Sequence, residues 1–309
     1  MSLSSSQKAV LTGVVRGKIQ WDAPLSAWTT YRIGGPADAL VTLLDVEDLQ
    51  EVLKFCRLEE LRWKLLGRGS NILAADEGFG GIVIVLGEGF KYIGRDPEKD
   101  QGSNWVKSGA GVGLARLSSW CADSGLSGFE FASGIPGTVG GGVVMNAGAW
   151  GRSMADVIRS IELVDQEKIE IISEKHLNFS YRTCRALAGR KNAVVTGVTM
   201  SFKTAAPEQI KETIRTLKEK RKERQPYGQP NCGSVFRNPE KISAGKLIDK
   251  AGLKGRRIGD AAVSEKHANF IVNCGQASAH DVLALIDEIK EKVMQTSGVE
   301  LIPEVQFLG

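Results

Sequence analysis

Residues 134–151 read GIPGTVGGGVVMNAGAWG, seven glycines in eighteen positions. Each interior glycine costs a helix or strand about 0.5–1 kcal/mol relative to alanine. The composition therefore argues against an ordinary helix or strand. Backbone without side chains can instead approach a flat or phosphorylated ligand closely and turn several N–H groups toward it. This stretch is expected to be the floor of a cofactor site, which the rest of the chain either completes or supplies with substrate.

Upstream, the chain reads as an α/β unit. A strand-like run over residues 39–44 leads to Asp45, a helix cap before apolar positions Leu49, Val52, Leu53 and Cys56 at the 3.6 period. Residues 63–66 are short and apolar, as a buried strand would be, and run into Gly67-Arg68-Gly69-Ser70-Asn71. A strand delivering a Gly-Ser-Asn loop suits phosphate, although such turns are common. Residues 81–86 and 105–112 are expected as strands, then residues 114–124 as a helix closed by Gly125. Downstream, residues 158–164, 168–172 and 193–202 read as strands. Pro207 opens a helix stopped at Gln225-Pro226. A short helix follows between Ser243 and Gly252, then a strand over 269–273 and a long helix from Ser278. The stripe Val282, Leu285, Ile286, Ile289, Val293 on that helix is core.

With 309 residues, 42% hydrophobic and 25% charged, the chain has the balance of a soluble globular protein of two or three domains. No apolar run reaches the roughly 18 residues of a membrane span, and the amino terminus has no signal-peptide pattern. Five scattered cysteines without CxxC spacing argue against a disulfide framework or a zinc site and fit a reducing cytoplasm. Residues 211–224 carry seven basic side chains against three acidic ones, which equals the chain's net charge of +4. Such a helix can be a solvated face, a funnel for an anionic ligand or a nucleic-acid contact. The 6% aromatic content offers few stacking platforms for nucleic acid.

Spacing argues against a Rossmann site. In Gly109-Ala110-Gly111-Val112-Gly113, Leu114 stands where a further Gly or Ala is required, and no strand ending in an acid follows the helix. There is no GxSxG, and His176, His267 and His280 form no HExxH pair, so a hydrolytic triad and a catalytic metal are not expected.

Tyr31-Arg32-Ile33-Gly34-Gly35, Gly67-Arg68-Gly69-Ser70-Asn71, the glycine stretch with Met145-Asn146-Ala147-Gly148, and Gly233-Ser234-Val235-Phe236-Arg237-Asn238-Pro239 occur in one order and spacing. With Tyr181-Arg182, the run from Ser264 to Phe270, and Pro303-Glu304-Val305, this set closely resembles the UDP-N-acetylenolpyruvoylglucosamine reductase (MurB) family. The compact loop before Gly233 is similar to the shorter, second type of that family. The terminal motif departs slightly: Ile302 and Gln306 stand where an acid and an arginine are more usual, leaving Glu304 itself unchanged.

The resemblance implies an α+β architecture. An FAD-binding fold of the vanillyl-alcohol-oxidase type, made of two α+β subdomains, is expected at residues 1–74 and 75–204. A C-terminal α+β domain for the UDP-sugar is expected at 205–309. It also implies the reaction, an NADPH-dependent and FAD-mediated reduction of UDP-N-acetylglucosamine enolpyruvate to UDP-N-acetylmuramate in peptidoglycan precursor synthesis. Flavin N5 would deliver hydride to the enolpyruvyl methylene. Arg182 and Glu304 would then stabilise the enolate-like state and Ser234 would protonate it. Ionised Glu304 would repel that anion, so the residue works protonated or orients Arg182.

By the same resemblance, non-covalent FAD falls to Tyr31, Arg32, Gly67, Gly69, Ser70, Asn71, Gly134, Gly137, Thr138, Gly140, Gly141, Asn146, Ala147 and Gly148. Substrate falls to Tyr181, Arg224, Asn238 and His267. The protein is expected to be a bacterial cytoplasmic monomer that needs no metal, nucleic acid or membrane insertion. Two other readings are an FAD-dependent oxidase or dehydrogenase of the same superfamily acting on another substrate, and a non-enzymatic nucleotide-binding protein.

Overall fold

The alternation in the first third folds into a four-stranded sheet. Lys18–Pro24 runs antiparallel to Pro36–Leu43, which lies parallel to Phe79–Leu86, with Trp63–Leu65 parallel on the outside. Parallel neighbours require a crossover, and helix Val46–Leu58 provides it. The Asp45 carboxylate accepts from the amide of Asp48, and Leu49, Val52, Leu53 and Cys56 are buried as their period demands. The computed structural model describes residues 2–96 and 104–309.

Two expectations are corrected here. Trp63–Leu65 is a strand but not a buried one, because it holds the sheet's edge; Lys64 and Leu65 are exposed, and burial resumes at Leu66. A boundary at residue 74 would cut this sheet, since Phe79–Leu86 is one of its two inner strands.

The second sheet has five strands, in the order Ile169–Ser173, Ile158–Val164, Val194–Ser201, Trp105–Gly109, Ile93–Arg95, all antiparallel. Helix Leu114–Asp123 ends with Gly125 in the left-handed region at φ 67°, the conformation its position requires. One hydrophobic cluster joins Val41, Leu49 and Ile84 of the first sheet's layer to Leu117, Ile161 and Val198 of the second. The basic helix, Pro207–Arg224, packs on Leu114–Asp123 and on the turn Glu130–Gly134.

The last third builds a small antiparallel sheet, Arg257–Ile258, Ala261–Val263 and Ile271–Asn273, against helices Ala244–Lys250 and Ala279–Ser297. The expected strand over 269–273 shortens because Asn269 has another use. Its buried amide accepts from the Phe236 amide at 3.0 Å and donates to the Phe236 carbonyl at 2.8 Å. The chain end returns to its beginning: Gln306–Leu308 pairs in parallel with Ile72–Ala74, and Asp76 accepts from the first amides of Ala279–Ser297. The architecture is α+β, with its last third stitched to the first.

Asn269→Ala orphans two buried backbone groups, each costing about 1–3 kcal/mol. Unfolding in denaturant should show a loss of about 2–4 kcal/mol.

Candidate active site

The glycine stretch and the loop at 67–71 form two walls of one cradle. A side chain at Gly67 would meet the Thr138 hydroxyl at 2.8 Å, and one at Gly69 the Trp28 carbonyl at 2.2 Å with φ at +59°. The Ser70 hydroxyl donates to the Pro136 carbonyl at 2.6 Å, closing the walls together. None of the described hydrogen bonds uses the amides of Arg68, Gly69, Ser70 or Asn71 as donors. A flat or phosphorylated group fits such a wall, since these amides have no partner among the described residues and no Cβ projects at Gly69.

The expectation that residues 134–151 contain no helix fails at Val139–Val144. Thr138 caps that turn by accepting from Gly141. The amides of Val139 and Gly140 donate to the carbonyls of Val112 and Ala110, and a Cβ at Gly140 would lie 2.9 Å from that of Ala110. Close packing on the end of strand Trp105–Gly109 offsets the glycine penalty.

Beyond that helix, Asn146 sits buried in the left-handed region at φ 39°. Its side-chain amide donates to the Ser180 carbonyl at 3.0 Å, and its oxygen accepts from the Ala155 amide at 3.1 Å. Ser180 immediately precedes a two-residue hairpin tip, Tyr181-Arg182, between the paired segments Phe179–Ser180 and Thr183–Cys184. Arg182 is itself left-handed, at φ 56°. Its guanidinium donates to the Gly148 carbonyl at 3.4 Å and lies 5.1 Å from the Tyr181 ring centre.

From the other side comes Glu304. Its backbone amide donates to the Val235 carbonyl at 2.7 Å, and its carbonyl accepts from the Asn71 side chain at 3.1 Å. Arg182 Nε and Glu304 Oε1 stand 2.7 Å apart, with side chains 22% and 11% exposed. Burial pushes the Glu304 carboxyl above its ordinary 4.5, and the Arg182 and Arg237 cations only partly counteract it. Ser234 directly precedes Val235 in this pairing, which continues through the Phe236–Pro303 bridge and the bond from the Arg237 amide to the Ile302 carbonyl. Arg182 and Glu304 thus meet from distant segments, and Ser234 adjoins the backbone pairing that holds Glu304.

Other expected site residues are placed differently. Tyr31 is fully buried among Cys232, Val235 and Phe236 of the last third, so its ring is closed to a cofactor. Burial and the adjacent Cys232 push its phenol well above the usual range. Arg32 remains exposed, at φ 57°. Arg224 points to solvent, whereas Arg221, one turn earlier, donates to the Gly134 carbonyl and is half-buried. No described ion pair includes Arg221, and burial lowers its pKa. The sequence placed a base at this helix end but not its register; the period of the helix alone could not choose between residues one turn apart.

Asn238 accepts from the Ala244 amide at 3.1 Å and so caps the short helix where Ser243 does not. Its own amide donates to the Tyr181 hydroxyl at 3.4 Å. His267 stands edge-on to Phe270 and accepts from the Asn269 amide at Nδ1, and burial lowers its pKa from 6.5. It is a neutral imidazole near neutral pH.

Comparison with known proteins places these features in a context. Residues 225–308 match the family described as UDP-N-acetylenolpyruvoylglucosamine reductase, C-terminal domain, and residues 37–171 match an FAD binding domain. The chain is 40% identical over 294 residues to the UDP-N-acetylenolpyruvoylglucosamine reductase of Bacillus subtilis (strain 168), covering 95% of each. It is equally similar, over the same span, to the reductase 1 of Bacillus cereus. Among solved structures, the reductase from Thermus caldophilus superposes with a TM-score of 0.78 at 36% identity, covering 95% of this chain and 99% of that one.

Because Glu304 holds its proton more tightly folded than unfolded, it contributes stability at low pH. That contribution is lost as pH rises from 4.5 through the raised folded value. The stability of the parent relative to Glu304→Gln should therefore fall across this window and level off above it. Paired thermal unfolding curves measure this; a difference that grew with pH would show that Arg182 outweighs burial.

Proposed function

The chain belongs to the UDP-N-acetylenolpyruvoylglucosamine reductase family, and on that premise we propose that it reduces the enolpyruvyl ether of UDP-N-acetylglucosamine to UDP-N-acetylmuramate for peptidoglycan synthesis. FAD, reduced by NADPH, supplies the hydride when bound. The observation that carries the reading is the half-buried Arg182–Glu304 pair, tied through Asn71 to the glycine cradle.

The protein's own groups have separable roles in this proposal. The amides of residues 68–71, with those of Gly137 and Thr138 in the adjoining wall, hold the cofactor's phosphates. Arg221, a half-buried cation with only a carbonyl as its described partner, adds charge for an anionic ligand. Arg182 takes the substrate carboxylate in two-point fashion and stabilises charge developing there. Glu304 orients Arg182, and its raised pKa favours the protonated form once an anionic substrate arrives, so that it does not repel the enolate. Ser234 gives its hydroxyl proton to the adjacent carbon. An alcohol is a weak acid, so this works only toward a strongly basic acceptor held close.

Tyr181 and Asn238, joined to each other, and His267 border the sugar-binding side, with Arg224 at its rim. The last third acts as substrate domain and the two sheets before it as cofactor domain, working as a monomer. The cytoplasm is its place. Four of its five free cysteines are buried, as a reducing compartment allows, and no helix among the described residues is long and apolar enough to cross a membrane.

The purified protein should be yellow, bleach under anaerobic NADPH, and recolour on addition of the enolpyruvyl UDP-sugar. Recolouring by oxygen alone would favour an oxidase. Stopped-flow measurement on Ser234→Ala should show flavin reduction by NADPH retained and the substrate half-reaction slowed about 10²–10⁴-fold. Equal losses in both half-reactions would remove Ser234 from proton transfer.

A further inference from the structure

Asn146 lies within the glycine-rich cofactor wall, yet its side chain faces elsewhere. It is 8% exposed; its oxygen is taken by the Ala155 amide and its nitrogen donates to the Ser180 carbonyl. Two residues on, the Gly148 carbonyl accepts from the Arg182 guanidinium. The same short segment therefore grips the hairpin at its base, through Ser180, and at its working end, through Arg182.

That hairpin needs external support. It has two paired residues on each side of a two-residue tip, and Arg182 at the tip is in the left-handed region, which disfavours a side chain. So short a ladder cannot by itself hold the guanidinium in place, where a misplacement of about 1 Å can cost about 10²-fold in rate. The opposite partner is held in parallel fashion, with Asn71 of the other cofactor wall bonded to the Glu304 carbonyl.

We infer that Asn146 is a positioning residue that acts through Arg182 and sets the guanidinium against substrate, and that it is not a cofactor ligand. The inference rests on the role proposed above for Arg182. Asn146 pre-orders the arm, so its loss should appear only when the arm has an arginine to position.

The test is a double-mutant cycle on the flavin-loaded enzyme. Asn146→Gly removes the side chain while suiting the left-handed backbone at φ 39°. We expect it to slow substrate reduction about tenfold or more and to change FAD affinity less than about twofold. In an Arg182→Ala background, the same change should slow the reaction less than about twofold. Effects that multiply in the double variant would overturn the inference, as would a tenfold loss of FAD affinity. Should Asn146→Gly fail to load flavin through misfolding, Asn146→Asp serves in its place. It keeps the acceptor for Ala155, loses the donor to Ser180, and is read by the same cycle. If Arg182→Ala alone reduces substrate at the parental rate, the proposed role of Arg182 falls. If Arg182→Ala is slow and the effects multiply, only the inference about Asn146 falls.

Discussion

Arg182 and Glu304 meet at 2.7 Å with little exposure to water, although the chain separates them by more than a hundred residues. Desolvating both ends of an ion pair consumes much of what the attraction returns, so a buried pair is a poor device for stability alone. Here the balance is visible in Glu304, whose burial outweighs the nearby cations and raises its pKa. A contact of that kind persists when the surrounding fold over-determines it. The fold does so from both sides, through Asn146 and Gly148 behind Arg182, and through Asn71 and Val235 behind Glu304.

This constraint accounts for the connectivity at the chain ends. Glu304 can stand beside the cofactor wall only if the last residues leave their own domain. The parallel pairing of Gln306–Leu308 with Ile72–Ala74 brings them there. Asp76 and Thr30 reinforce the same junction, bonding helix Ala279–Ser297 and the Asn231 carbonyl. Tyr31 completes it by burying its ring in the core of the last third, against Cys232, whose thiol burial pushes up to about 12. Ser234, two residues further on, inherits a rigid support.

The glycine stretch shows how packing overrides propensity. Three consecutive glycines sit inside helix Val139–Val144, where isolated peptides would not hold a helix. Gly140 is required by the approach of Ala110, and the flanking amides bond to the end of a strand in the second sheet. The stretch is thus both wall and wedge. It borders the cradle at Gly137 and Thr138, and it braces the arginine hairpin at Asn146 and Gly148.

Much was legible in the order of residues. Asp45 before a 3.6-period stripe, Gly125 after one, and Pro207 at a first turn each specify a helix end by local stereochemistry. The ordered set of motifs, from Tyr31 to Glu304, identified the family and the α+β architecture. Local pattern could not specify what depends on distant neighbours. It gave residues 63–66 as a buried strand when the strand lies at an edge, and the resemblance, offering Arg224, could not show that Arg221 is the base that turns inward. Burial and side-chain partners are set by which segments meet in space, and periodicity carries no information about that. The sequence by itself determined the elements, their caps and the chemistry available. Only the tertiary structure decided which donor reaches which acceptor, because each of those bonds joins segments that the chain alone leaves far apart.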